Sequence, residues 1–129
     1  MKFDDVFLDG LTAQAKASPR LRMHYDLRDS ENDASMRMLN ALEPGTVIPI
    51  HRHKDTSEEV VLLRGAVEEI LYDEQGKQVA IYKLKSGSDC VACHVPMACF
   101  HTCRSLESGS VILEFKNGSY DPNTTEDFL

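Results

Sequence analysis

The sequence predicts an all-β fold, a barrel or jelly roll of about eight short strands with one short α-helix ahead of them. From Met36 onward, short runs rich in Val, Ile, Leu and Phe are separated by turn residues at roughly ten-residue intervals. A helical period is confined to the first 17 residues. The length of 129 residues suits one domain with an independent core. The chain is therefore read as a single domain over 1–129, with a helix and extension over 1–35, a barrel over 36–116 and a tail over 117–129.

The helix is expected from about Asp4 to Ala17. Phe7, Leu11 and Ala15 recur at a spacing of four, and Pro19 makes Ser18 a natural stop. The stretch from Ser18 to Ser35 is polar and carries no helical stripe, so it reads as irregular chain with an exposed loop over Ser30–Ser35. Strands are expected at Met36–Leu42, Thr46–His51, Glu58–Leu63, Val67–Tyr72, Val79–Leu84, Cys90–Val95, Phe100–Ser105 and Val111–Phe115. Pro44-Gly45, Arg64-Gly65, the turn around Gly76, Ser86-Gly87-Ser88, Pro96 and Ser108-Gly109 punctuate them. The last residues, KNGSYDPNTTEDFL, read as a turn-rich closing segment.

The 14 basic and 21 acidic residues give a formal charge of −7, with no Lys/Arg cluster. Such a surface is poorly suited to a phosphate backbone, so nucleic acid is not an expected partner. No apolar run approaches a membrane span, and MKFDDVFLDG lacks the basic and apolar regions of a signal peptide. All four cysteines lie between positions 90 and 103, which is not the layout of a disulfide-stapled secreted domain. The expectation is a cytoplasmic protein with free thiols.

One series of spacings carries chemistry. Gly45 is followed after five residues by His51-Arg52-His53, then after four by Glu58, then after six by Gly65. Side chains two apart on a strand share a face, so His51 and His53 can point together, and Glu58 opens the next strand. Two imidazoles and a carboxylate make a divalent-metal site with open positions. Met97-Ala98 after Pro96 reads as a tight turn, and His101 behind it supplies a third imidazole if this hairpin closes against the first. The set of three His and one Glu suits Fe, Mn, Ni or Zn. One carboxylate against a divalent ion leaves about +1, which favours an anionic or oxygen-rich small-molecule ligand.

The run from Gly45 to Gly65, G-x5-H-x-H-x4-E-x6-G, resembles the first motif of the cupin superfamily at every fixed position. Gly87, Pro96, Ala98 and His101 resemble the second. There the Gly87–Pro96 gap is long, Ala98 stands where Gly is usual, and Ser105 stands where Asn is usual. The segments SPRLRMHYDLR, MRMLNALEPGTVIPIHRH and FKNGSYDPNTTEDF are similar to the WbuC-type cupin-fold metalloproteins, small bacterial proteins associated with cell-surface polysaccharide gene clusters. That resemblance implies a metal-binding cupin barrel in a bacterial cytoplasm, with His51, His53, Glu58 and His101 as ligands, and it brings no settled reaction.

Competing readings exist for each feature. Alone, a His-x-His pair on a strand is ordinary hydrogen-bonding surface; the register with Gly45, Glu58 and Gly65 is what favours ligation. Glu59, one residue on, belongs to the opposite face, and His24 and His94 read as non-ligands. Cys90, Cys93, Cys99 and Cys103 invite a four-thiolate zinc reading, but five residues between the pairs is cramped and Cys90 and Cys93 face opposite sides of a strand. They read better as small apolar residues, with Cys99 and Cys103 sharing the parity of His101. Arg20, Arg22, Arg28 and Arg37 precede the first His strand. Arg37, in the otherwise apolar MRMLNAL, is the candidate for orienting an anionic ligand, with Asn40 as another cavity candidate and Tyr25 and Tyr120 on weaker grounds. Several strands apolar on both faces suggest a face covered by a second copy, hence a homodimer. The functional expectation is a metal-dependent enzyme, isomerase- or epimerase-like, on a sugar or sugar nucleotide. An Fe(II) dioxygenase and a non-catalytic metal- or ligand-binding module are the alternatives.

Overall fold

A computed structural model describes residues 1–129. One helix, α1 (Asp5–Ala17), precedes ten strands: β1 (Arg22–Asp26), β2 (Ser35–Leu42), β3 (His51–His53), β4 (Glu58–Arg64), β5 (Ala66–Tyr72), β6 (Gln78–Lys85), β7 (Ala92–Val95), β8 (Phe100–Ser105), β9 (Ser110–Asn117) and β10 (Thr125–Asp127). They form two five-stranded antiparallel sheets, ordered β1-β2-β9-β4-β7 and β10-β3-β8-β5-β6. This is the expected jelly-roll architecture, and the chain alternates between sheets so that the His strands and the Glu58 strand face each other.

Between the sheets lies a core of Leu42, Val60, Leu62, Val67, Leu71, Leu84, Val95, Cys103 and Ile112. On the outer face of the first sheet, α1 lays Leu8, Leu11 and Ala15 over Leu39, Ala41 and Val111. Asp4 caps the helix by accepting from the Phe7 amide at 3.1 Å. The buried stripe is rotated from the expected one: Leu8 takes the central place, and Phe7 flanks it against Tyr25. The helix also corrects the reason given for a homodimer. β2 and β9 are apolar on both faces because one face meets the opposite sheet and the other meets α1 of the same chain.

Two strands were not expected. β1 pairs with β2, and its alternation turns Met23 and Tyr25 toward the helix while Arg22, His24 and Asp26 take the opposite parity. β10 lies in the closing segment and pairs with β3, placing Thr125 opposite His53 and Asp127 opposite His51. The strand expected at Thr46–His51 is displaced to His51–His53. Pro49 has no N–H to give a ladder, and Thr46 instead turns its hydroxyl to the Arg20 carbonyl at 2.6 Å. The turn before β8 holds Ala98 at φ +63°, the left-handed region, and the Ala98 amide donates to the His53 carbonyl at 2.9 Å.

Candidate metal centre

Strand pairing brings three of the four expected residues together in one sheet. His51 and His101 are direct cross-strand partners of β3 and β8, and His53 shares the face of His51 two residues on. Ring centroids are 4.4 Å apart for His51 and His101, 5.1 Å for His51 and His53, and 5.7 Å for His53 and His101. Glu58 comes from the facing sheet, where it opens β4. Its carboxylate lies 3.0 Å from His101 Nε2 and 3.3 Å from His53 Nε2. One ligand-type atom from each of His51, His53 and His101 lies within 4.8 Å of the others, and a second group of that kind is Glu58, Glu69 and His101. Glu58, His53 and His101 are buried, and His51 is half-buried.

The backbone fixes which ring nitrogen faces inward. His51 Nδ1 lies 2.8 Å from the Pro49 carbonyl, and His101 Nδ1 lies 2.9 Å from the Cys99 carbonyl. A carbonyl only accepts, so each Nδ1 carries the proton and donates it, which leaves the Nε2 lone pair turned to the cavity. His53 Nδ1 is 3.4 Å from the Thr125 hydroxyl, a longer contact of the same kind. The consequence is sharpest at His101: its buried Nε2 has no properly aligned hydrogen-bond partner although Glu58 is 3.0 Å away. A lone pair facing a carboxylate at that distance needs a cation between them, a proton or a metal ion. The residues therefore fit a divalent transition metal with imidazole and carboxylate ligands.

Without such an ion the groups are strongly perturbed. Burial holds His51 down to about 4, helped by the neighbouring His101. Burial also acts against charge on His101, but the Glu58 carboxylate outweighs it and raises that ring to about 9. Glu58 is held well below the usual carboxylate range by His101 and His53, against the effect of its own burial.

The cavity of about 190 Å³ around these groups is lined by Arg22, Asn40, Ile48, His51, His53, Glu58, Glu69, His101, Cys103 and Glu114. Two of its acids were not anticipated. Glu69 of β5 is 2% exposed, and its Oε2 has no hydrogen-bond partner. Glu114 of β9 borders the cavity from the other sheet. Burial, reinforced by the nearby Glu58, pushes both acids up to about 8. A signal existed for Glu69: in AVEEILY two adjacent acids fall on opposite faces, so one must turn inward, whereas the single acid of SVILEFK carries no such signal. Asn40 lines the cavity as one of the candidates from its strand, with its buried Oδ1 unpartnered.

Arg37 does not reach the cavity, which corrects its assignment as the residue orienting a ligand. It shares the face of Leu39 and Ala41, and its guanidinium donates to Asp33 Oδ2 at 3.1 Å and to the Ser35 and Leu27 carbonyls at 2.9 and 3.0 Å. Arg28 is held by Asp26. Arg22 is the guanidinium that lines the cavity, held by the Val47 carbonyl at 2.8 Å. Glu59 faces outward and meets His94 at 2.7 Å. Tyr25 packs on Phe7, and Tyr120 is exposed. The four cysteines are free thiols, and none joins a group of candidate ligands. Burial pushes Cys93 up to about 12 and Cys103 well above its usual value, so neither offers a thiolate.

Solved structures share this architecture. Capsular polysaccharide assembling protein CapF from Staphylococcus aureus superposes with a TM-score of 0.72 at 17% identity, over 86% of this chain and 32% of that one. A second CapF structure, with the inhibitor 3-isopropenyl-tropolone, gives 0.69 at 17% identity, over 81% and 31%. Oxalate decarboxylase from Bacillus subtilis gives 0.61 at 23% identity, over 83% and 27%. The chain thus spans about a third or less of the length of these proteins. The fold they share is the cupin fold, with two antiparallel sheets and a short N-terminal helix here. Residues 3–84 match the family described as "Domain of unknown function (DUF6016)", and the chain belongs to that family. No curated protein matches. No helix is long and apolar enough to cross a membrane.

Proposed function

We propose that the chain is a metal-dependent cupin of the WbuC type, holding one divalent transition metal through His51, His53, Glu58 and His101 and acting on a small oxygen-rich metabolite such as a sugar. The observation that carries this reading is the set of cavity-facing Nε2 atoms, two of them fixed by Nδ1–carbonyl contacts, with the carboxylate of Glu58 set 3.0 Å from His101. A bound ion would act as a Lewis acid on a carbonyl or hydroxyl oxygen. His51, His53 and His101 supply neutral donors from one sheet, and Glu58 supplies the charge from the other. The Pro49 and Cys99 carbonyls keep the rings in the metal-binding tautomer. Glu69 and Glu114 are placed to hold or accept a proton beside that oxygen. The names of the structural neighbours add support for small oxygen-rich chemistry: one assembles a capsular polysaccharide and the other decarboxylates oxalate.

Calorimetric titration of chelator-treated protein with Zn, Mn, Ni and anaerobic Fe(II) tests the reading. One ion per chain is expected, with affinity falling at least about tenfold in His53→Ala. Failure of every ion to bind, or binding indifferent to that substitution, overturns it. Unfolding on chelation would make the ion structural, whereas a folded metal-free protein supports a functional site.

A further inference from the structure

From the lining of the cavity we infer that its ligand is a neutral, hydroxyl-bearing molecule, a small polyol or a monosaccharide ring, held by Glu69, Glu114 and Asn40 beside the metal, and that dicarboxylates are disfavoured. The inference rests on the metal-site reading above and narrows the expected anionic or oxygen-rich ligand to a neutral, oxygen-rich one.

Charge carries the first part of the argument. Three acids (Glu58, Glu69 and Glu114) and one guanidinium (Arg22) line the cavity. A neutral hydroxyl ligand meets Glu69 and Glu114 in either protonation state, whereas a dianion would set its carboxylates against their oxygens.

Hydrogen-bonding capacity carries the second part. Glu69 Oε2 and Asn40 Oδ1 are buried polar atoms without partners, and both residues line the cavity. A native buried polar atom is nearly always satisfied, here by whatever enters the cavity. Hydroxyls both donate and accept, so they satisfy a carboxylate, a carboxylic acid or an amide in either orientation. Size agrees: about 190 Å³ is room for a small ring or open-chain polyol.

Metal-loaded full-length chain, its ion content verified first, is titrated calorimetrically with erythritol, ribose and glucose, and separately with oxalate and malonate. The proposal expects at least one neutral probe to bind in the millimolar range. Its affinity should fall about tenfold in Glu69→Gln or Glu114→Gln, the loss of one buried hydrogen bond. Oxalate should bind about tenfold more tightly to the doubly substituted chain than to the native one, the sign opposite to that for sugars. Circular dichroism and ion content of the near-isosteric variants separate this result from misfolding. Oxalate binding the native chain at least as tightly as the double variant overturns the inference. So does failure of all three neutral probes to bind the native chain, or binding indifferent to both substitutions. An ion that fails to bind at the outset overturns the metal reading instead, and the ligand assignment with it.

Discussion

Glu69 and Glu114, facing each other's sheets across one small cavity, make the metal-free protein's stability depend on pH in a definite direction. Both acids are raised to about 8 from an ordinary value of 4.5, so their contribution is full below 4.5 and is lost as pH rises through 8. His101, raised to about 9 from 6.5, contributes fully below 6.5 and loses that contribution as pH rises through 9. His51 has the opposite sign: lowered to about 4, it contributes fully above 6.5 and loses that as pH falls through 4. Between pH 6.5 and 8, Glu69, Glu114 and His101 therefore all weaken the fold as pH rises, each by up to about 1.4 kcal/mol per pH unit. Urea midpoints of metal-free protein should fall across that window, and Glu69→Gln should flatten the slope. A midpoint that rises with pH would contradict the electrostatics assigned to the cavity. The same acids also show where the sequence was harder to read. His51, His53 and Glu58 announce themselves by spacing, whereas Glu69 is the second of two adjacent glutamates in a strand whose inner and outer neighbours are both apolar.

At the scale of elements, β3 is only three residues long and depends on its flanks. β10 pairs along it, the Phe128 amide donates to the Ile50 carbonyl at 2.9 Å, and the Lys54 amide donates to the Thr124 carbonyl at 2.8 Å. Arg52, between the two histidines, is clasped by Glu126 and Glu74 and stacks over Phe100 at 4.4 Å, which in turn meets Phe128 edge-on. Removing the Phe128 ring should loosen this strap, so Phe128→Ala should weaken metal binding several-fold while leaving the far-ultraviolet circular dichroism unchanged. Unaltered affinity would show that β3 holds its geometry without β10. The turn before β8 gives a test of the other sign. Ala98 at φ +63° is strained by its Cβ, and Ala98→Gly should stabilise by about 1 kcal/mol in urea unfolding. On the opposite side, Leu11→Ala removes a side chain 4% exposed between α1 and β2 and should cost about 2–5 kcal/mol.

These elements differ in how plainly the sequence announces them. Strands β4, β5 and β9 were legible within two residues because each is a largely apolar run bounded by turn residues, and β8 because the turn after Pro96 and the Ser108-Gly109 turn bracket it. β10 was not, since three polar residues on a sheet edge carry no alternation. β1 was overlooked although Met23 and Tyr25 alternate with Arg22, His24 and Asp26. Arg37 was misplaced for a related reason: β2 is covered on both faces, by the opposite sheet and by α1, so its hydrophobicity gives no parity and either Arg37 or Asn40 fits the inward position. The structure chooses Asn40.

For the whole molecule, the fold was visible because its punctuation is regular, and the convergence of His51, His53, Glu58 and His101 because a jelly roll brings strands distant in sequence into facing sheets. What the cavity offers beyond them depends on which residues line it from β1, β2, β5 and β9 together, and no short spacing encodes that. The central claim is that these four side chains hold one divalent ion. It is tested most directly by elemental mass spectrometry of protein purified without chelator or affinity tag, alongside His51→Ala and His101→Ala with their folds verified by circular dichroism. The account predicts close to one transition-metal ion per native chain and loss of that ion in both variants. Native protein that stays metal-free even after reconstitution, or variants that retain a full complement, would contradict it.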